Sequence, residues 1–82
     1  MPKDMDLYDS ALRDTIVSRM RAKMRERRLS AVELAEVSGL NYTGVHDIYQ
    51  GKSRFPRIDT LAAIARALGV SVAWLIGEVD HA

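Results

Sequence analysis

The residues best suited to chemistry in this 82-residue chain lie between Asn41 and Arg57. His46 and Asp47 are the residue types of a catalytic base and its partner, but neighbouring side chains on a helix point about 100° apart. No serine or lysine is spaced to complete a nucleophilic set, and no second metal ligand follows His46 or His81 at three or four residues. The pattern therefore predicts no enzyme, no metal site and no cofactor.

Positive charge is concentrated in two segments, although the net charge of the chain is only +1. Residues 10–28 hold seven bases against two acids, and residues 51–57 hold Lys52, Arg54 and Arg57 with no acid. A cationic loop suits contact with nucleic-acid phosphates, because neutralising phosphates releases counterions and drives binding. For the longer segment we favour a solvated helix face, which the charge pattern fits equally well.

Length and composition limit the classes of protein that the chain can form. It is 48% apolar and contains no cysteine, which predicts one small core held by packing alone. The longest charge-free run, residues 67–77, is too short for a membrane helix, and the N-terminus does not resemble a signal peptide. We expect a cytoplasmic protein with no membrane partner, organised as a flexible N-terminal tail (residues 1–9), a folded domain (10–77) and a C-terminal tail (78–82).

Apolar residues recur every three or four positions and nowhere alternate, which predicts an all-α fold. Ser30 and Glu33 have the spacing of a capping box, and Asn41 is a good N-cap. The last helix is expected to bury Trp74 in the core. The five predicted helices span about residues 10–27, 31–38, 42–50, 58–68 and a short stretch from 72.

The second and third helices are joined by a short turn at residues 38–41 that contains Gly39, as in a helix-turn-helix unit. Ala35 is small enough for the two backbones to approach where the helices cross. The apolar residues expected to lock the pair against the first and fourth helices are Leu34, Leu40, Val45 and Ile48. The side chains expected to form an exposed polar front are Tyr42, Thr43, His46, Asp47 and Gln50.

This pattern resembles the helix-turn-helix domain of phage repressors and Cro proteins over about residues 18–77. The residues that carry the resemblance are Leu29-Ser30, Glu33-Leu34-Ala35, Gly39, Val45, Ile48, Gly51-Lys52, Pro56, Leu61 to Ser71 and Trp74-Leu75. The resemblance implies a compact five-helix bundle of the lambda repressor-like type. It further implies a sequence-specific transcriptional regulator, a repressor, that binds double-stranded DNA at a palindromic operator as a homodimer.

In that family the third helix lies in the major groove, and the resemblance implies which residues contact DNA. The implied base-reading residues are Tyr42, Thr43, His46 and Asp47. The implied phosphate or minor-groove contacts are Ser30, Asn41, Lys52, Arg54 and Arg57. Two uses of Asp47 stay open, because it either accepts from a cytosine amino group or holds Lys52 or Arg54 in place. Ile76 and Val79 are the expected dimer contacts, with Leu7 and Tyr8 as second choice.

Several positions depart from the family pattern. Ala31 stands where a glutamine commonly binds phosphate. Gly44 lies inside the reading helix at a cost of about 1 kcal/mol, and we favour close approach of DNA as the reason. Met24 and Tyr49 stand where many members pair an arginine with a glutamate, which predicts an apolar contact between them.

Two other interpretations stay open. The low net charge, Ala31 and Asp47 favour a protein-interaction module such as an antitoxin. A continuation beyond the stretch from Trp74 to Gly77 is common in the family, and it would make the chain the N-terminal DNA-binding part of a longer repressor.

Overall fold

The computed structural model describes the main chain of residues 3–53 and 56–82, and the side chains from Ser10 onward within these ranges. Over these ranges the protein contains five α-helices and no strand, which confirms the predicted all-α fold. The helices are α1 (Lys3–Arg27), α2 (Ala31–Ser38), α3 (Tyr42–Tyr49), α4 (Ile58–Leu68) and α5 (Val72–Leu75).

The first helix is longer than its apolar spacing predicts. It begins at Lys3 and not near Ser10, so the main chain of residues 3–9 is helical. Residues 3–27 contain neither glycine nor proline, so no residue in this stretch breaks a helix. At its other end Arg28 adopts a left-handed conformation (φ 57°), and the Leu29 amide donates to the Met24 carbonyl (2.8 Å), which closes the helix.

One hydrophobic core receives side chains from all five helices. Four residues of α4 and three of α1 are buried in it, and Leu12 of α1 packs against the core from its edge. Because every helix contributes to this core, the position of α3 depends on its packing against α1 and α2. The buried residues are Ile16, Met20, Met24, Leu34, Ala35, Val45, Ile48, Leu61, Ile64, Ala65, Leu68 and Leu75.

The turn between α2 and α3 has the geometry that the sequence predicts. Gly39 has a φ of 73°, which favours glycine, and the Leu40 amide donates to the Ala35 carbonyl (3.0 Å). Ala35 is buried at the crossing of the two helices. The turn therefore fixes the direction in which α3 leaves α2.

The prediction that Trp74 is a core residue is wrong. Leu75 is fully buried, whereas Trp74 is only half-buried. The indole lies beneath two cations of α1, with Arg19 Cζ 4.9 Å and Lys23 Nζ 5.4 Å from the ring centroid. Trp74 therefore joins α5 to α1 through cation–π contacts at the surface.

The segment after α5 is attached to α1. Arg19 donates to the carbonyl oxygens of Trp74 (2.7 Å) and Val79 (2.8 Å), and it lies 3.8 Å from the Asp80 carboxylate. The Glu78 amide donates to the Ala73 carbonyl (2.8 Å). The first three residues of the expected C-terminal tail are therefore bonded to the domain.

Candidate nucleic-acid interface

The third helix presents one polar face to solvent and buries the opposite positions. Its N-cap is Asn41, whose Oδ1 accepts from the Thr43 amide (2.8 Å) and leaves the Nδ2 group free to donate elsewhere. Val45 and Ile48 are buried against the other helices. The short helix is therefore fixed in orientation by its cap and by these two apolar anchors.

The four predicted base-reading residues lie together as two neighbouring i,i+4 pairs on α3. The rings of Tyr42 and His46 have centroids 5.3 Å apart. Gln50 Nε2 lies 3.4 Å from His46 Nε2, so Gln50 continues the line of Tyr42 and His46 by one more turn. Beside it, Thr43 is exposed and Asp47 is half-buried. The face thus offers hydroxyl and imidazole groups, which can donate and accept hydrogen bonds, and a carboxylate, which accepts them.

The loop after α3 is held against the end of the helix by main-chain hydrogen bonds. Gly51 (φ 75°) reverses the chain, and the amides of Lys52 (2.8 Å) and Ser53 (3.3 Å) donate to the Asp47 carbonyl. Between these described residues, no ion pair joins Lys52 to the Asp47 carboxylate. Lys52 is exposed beside the last turn of α3, while Arg54 lies outside the described residues.

Arg57 is exposed at the start of α4. Its guanidinium lies 3.1 Å from the Asp59 carboxylate, and both side chains face solvent. Exposed ion pairs contribute about 0–1 kcal/mol, so this contact competes weakly with another anion. Arg57 is therefore accessible to a phosphate or to a groove, as the resemblance implies.

Ser30 closes the N-terminal end of α2 through a complete capping box. Its Oγ accepts from the Glu33 amide (3.2 Å), and its own amide donates to Glu33 Oε1 (2.9 Å). Ser30 is exposed at this end of α2, so its hydroxyl group is accessible to a phosphate oxygen.

The capping box makes stability depend on pH. The Ser30 amide and, to a smaller extent, its hydroxyl hold the pKa of Glu33 below its usual value. The stabilisation is therefore present above the unfolded-state pKa of about 4.3 and is lost as pH falls through the lower folded-state pKa. We expect Glu33→Gln to reduce the loss of stability below about pH 4.5.

Urea unfolding of the protein and of Glu33→Gln between pH 3 and 7 measures this effect. Glu36→Gln removes the same charge from α2 outside the box and serves as the control. If the free energy of unfolding fell equally with decreasing pH for Glu33→Gln and for the unchanged protein, the capping box would not titrate as described.

A contact that the sequence analysis missed joins α1 to the end of α3. Arg21 donates from Nε (3.0 Å) and from its second terminal nitrogen to the Tyr49 carbonyl, and its Cζ lies 4.3 Å from the Tyr49 ring centroid. Met24 is buried one turn further along α1, and Tyr49 packs against the core. The i,i+3 spacing of Arg21 and Met24 indicates that both lie on the same side of α1, but nothing in the sequence marks the main-chain acceptor of Tyr49.

Gly44 is exposed in the first half of α3. A Cβ atom at this position would meet no other atom within 4 Å. Packing inside the domain therefore does not require glycine here, and the residue leaves open space next to the base-reading pairs.

The predicted dimer contacts lie at the C-terminal end of α5. Ile76 packs against the core and is half-buried, and Val79 is also half-buried. The side chains of Leu7 and Tyr8, the second choice, lie outside those that the structure describes.

Two kinds of site are absent from the described part of the chain. No group of three or more acidic or histidine side chains is arranged to hold a metal ion. No helix there has both the length and the apolar character needed to cross a bilayer.

The sequence family of Cro/C1-type HTH DNA-binding domains matches residues 19–79. The chain therefore belongs to this family, which confirms a DNA-binding domain and not an enzyme as its class. It is similar to an immunity repressor protein of Bacillus phage phi105, with 38% identity over 64 residues. This match covers 78% of the chain and 44% of the phage protein, so the chain spans less than half the length of that relative.

Proposed function

We propose that this chain is a sequence-specific transcriptional repressor that inserts α3 into the major groove of its operator. The observation that carries the proposal is the juxtaposition on α3 of the pairs Tyr42/His46 and Thr43/Asp47, with Lys52 exposed at the end of the same helix. Similarity to a protein named as an immunity repressor supports repression. A duplex partner also supports the cytoplasmic location expected from the sequence.

Phosphate contacts flank the reading helix in this proposal. Asn41 Nδ2, whose neighbouring Oδ1 is used in the cap of α3, and the exposed Ser30 hydroxyl donate to phosphate oxygens. Lys52, Arg54 and Arg57 neutralise phosphates along the loop, and Arg57 is the residue that reaches towards the minor groove.

The proposed repressor binds as a homodimer. One copy making about three to five phosphate contacts binds DNA weakly at physiological salt, whereas two copies on half-sites about 34 Å apart reach operator affinity. Ile76 and Val79 are the proposed contacts between the copies, with the segment of Leu7 and Tyr8 as the alternative surface.

Selection of bound duplexes from a random pool tests the function. We expect enrichment of a palindrome with half-site centres about 10 base pairs apart, which reports both specificity and symmetry. Absence of enrichment, together with duplex binding that does not change with salt, would contradict the proposal and favour a protein-interaction module.

Gly44→Ala is expected to change stability and DNA affinity in opposite directions. Alanine is favoured over glycine inside a helix by about 0.5–1 kcal/mol, and the added methyl group meets no atom of the domain. The same methyl group fills space that we assign to the approaching DNA, so affinity for the selected operator falls.

Urea unfolding and operator titration of Gly44→Ala measure the two effects on the same preparation. Unchanged or tighter operator binding by a stabilised variant would show that Gly44 does not serve close approach.

A further inference from the structure

Three arginines of α1 and its C-terminal cap border α3 along one side. Arg21 and Arg25 are spaced i, i+4 on one face of α1, and Arg28, the residue after the helix, lines a groove together with both of them. Two surface grooves separate this row from α3, and Arg21 and Arg25 line both of them. One groove reaches Gln50 and Gly51 at the end of α3, and the other runs past His46 to Ser30.

We propose that Arg21, Arg25 and Arg28 form a phosphate-binding strip for the DNA strand that runs along the α1 side of α3. The proposal rests on the function proposed above and adds α1 to the protein–DNA interface. The strip connects two proposed phosphate contacts, because its grooves end beside Ser30 on one side and beside the residue preceding Lys52 on the other. It also gives a use to the basic segment that the charge pattern alone assigns to a solvated face.

The cations of the strip are not neutralised by acidic side chains of the described residues. Three other bases of α1 have acidic partners: Arg13 lies 3.9 Å from Asp14, Arg19 lies 3.8 Å from Asp80, and Lys23 lies 3.2 Å from Glu26. Within the described part of the chain, no carboxylate pairs with any of the three arginines of the strip.

The acidic residues near the strip are few. No acidic side chain lines the groove that ends at Ser30, and the groove that ends at Gly51 is lined by one, Asp14, which is the partner of Arg13. Positive charge in a concave surface with so little compensation attracts an anion such as a phosphodiester.

Arg21 is held in a fixed orientation by the reading helix itself. Two of its donor groups bind the Tyr49 carbonyl and its guanidinium lies over the Tyr49 ring, which leaves the remaining N–H donors for a ligand. A guanidinium held in this way loses less freedom when it binds phosphate. A phosphate on Arg21 would therefore be linked to the C-terminal end of α3 through one side chain.

Arg28 is found where the backbone favours glycine. Its φ of 57° lies in the left-handed region, which costs free energy for a residue with a Cβ atom. Its side chain is exposed and lines the groove that ends at Ser30, so its packing inside the domain does not explain this cost. A use for the guanidinium outside the domain accounts for an arginine at this position.

Salt titration of binding to a random-sequence duplex tests the strip. Arg25→Ala and Arg28→Gly remove exposed guanidinium groups, and the second also relieves the left-handed backbone. We expect each to lower the slope of log affinity against log salt by about 0.9, and the double variant by about twice that. Arg66→Ala removes the same charge from the exposed surface of α4, away from both grooves, and is expected to leave the slope unchanged.

The outcomes separate failure of the strip from failure of the proposed function. If Lys52→Ala lowers the slope while the strip variants behave like Arg66→Ala, the DNA-binding function stands and the strip is overturned. If the unchanged protein binds duplex without salt dependence, both proposals fail. Lower slopes for the strip variants than for Arg66→Ala support the strip. For Arg28→Gly, the melting temperature is expected to be at or above that of the unchanged protein.

Discussion

Replacing Leu34 by alanine is expected to lower the free energy of unfolding by about 2–5 kcal/mol. Leu34 is fully buried, and it comes from the helix that packs between α3 and α4. Its removal leaves a cavity that three helices surround, which they cannot fill without moving together. Small domains have a total stability of about 5–15 kcal/mol, so this variant loses a large share of it.

Urea unfolding followed by circular dichroism measures the loss. Val37→Ala is the matched control, because Val37 lies on the same helix but is 61% exposed. The control is expected to change stability by no more than about 0.5 kcal/mol. Similar losses in the two variants would contradict the assignment of Leu34 to the core and of Val37 to the surface.

Replacing Thr43 by alanine is expected to weaken binding to the selected operator by about 1–3 kcal/mol, or about 5- to 150-fold. Thr43 is exposed on the polar face of α3, where its hydroxyl both donates and accepts and its methyl group suits contact with thymine. Its side chain carries no charge, so affinity for random duplex is expected to change little.

Lys52→Ala is the contrasting variant for this prediction. Lys52 is exposed and bonded to α3 only through its main chain, so the change removes a cation without disturbing the helix. We expect equal weakening on operator and random duplex, with the salt slope lower by about 0.9. Equal loss of specificity in both variants, measured by competition titration, would contradict the roles assigned to Thr43 and Lys52.

Features set by neighbours in the sequence could be predicted without the structure. Ser30 with Glu33 forms the expected capping box, Asn41 caps α3, and Gly39 adopts the left-handed turn. Each depends on the chemistry of a few consecutive residues, which local rules describe. The polar face of α3 followed from the same helical periodicity, so the positions of the four proposed base-reading residues on one face were predictable.

Features set by distant contacts could not be predicted. Trp74 and Leu75 have similar apolar character, and only packing against α1 decides that the leucine is buried and the indole lies under Arg19. The bond from Arg21 to the Tyr49 carbonyl joins residues 28 positions apart, and a main-chain acceptor has no signature in the sequence. The proposed arginine strip could not be predicted either, because it depends on where α1 crosses α3.

Chemical-shift mapping with an amide-labelled protein tests most directly whether α3 and the groups around it contact DNA. On titration with the selected duplex, we expect the largest shifts at residues 41–47, Ser30 and Lys52, small shifts at Arg66, and reversal on addition of salt. Shifts concentrated on the exposed face of α4, with residues 41–47 unchanged at saturation, would contradict this expectation.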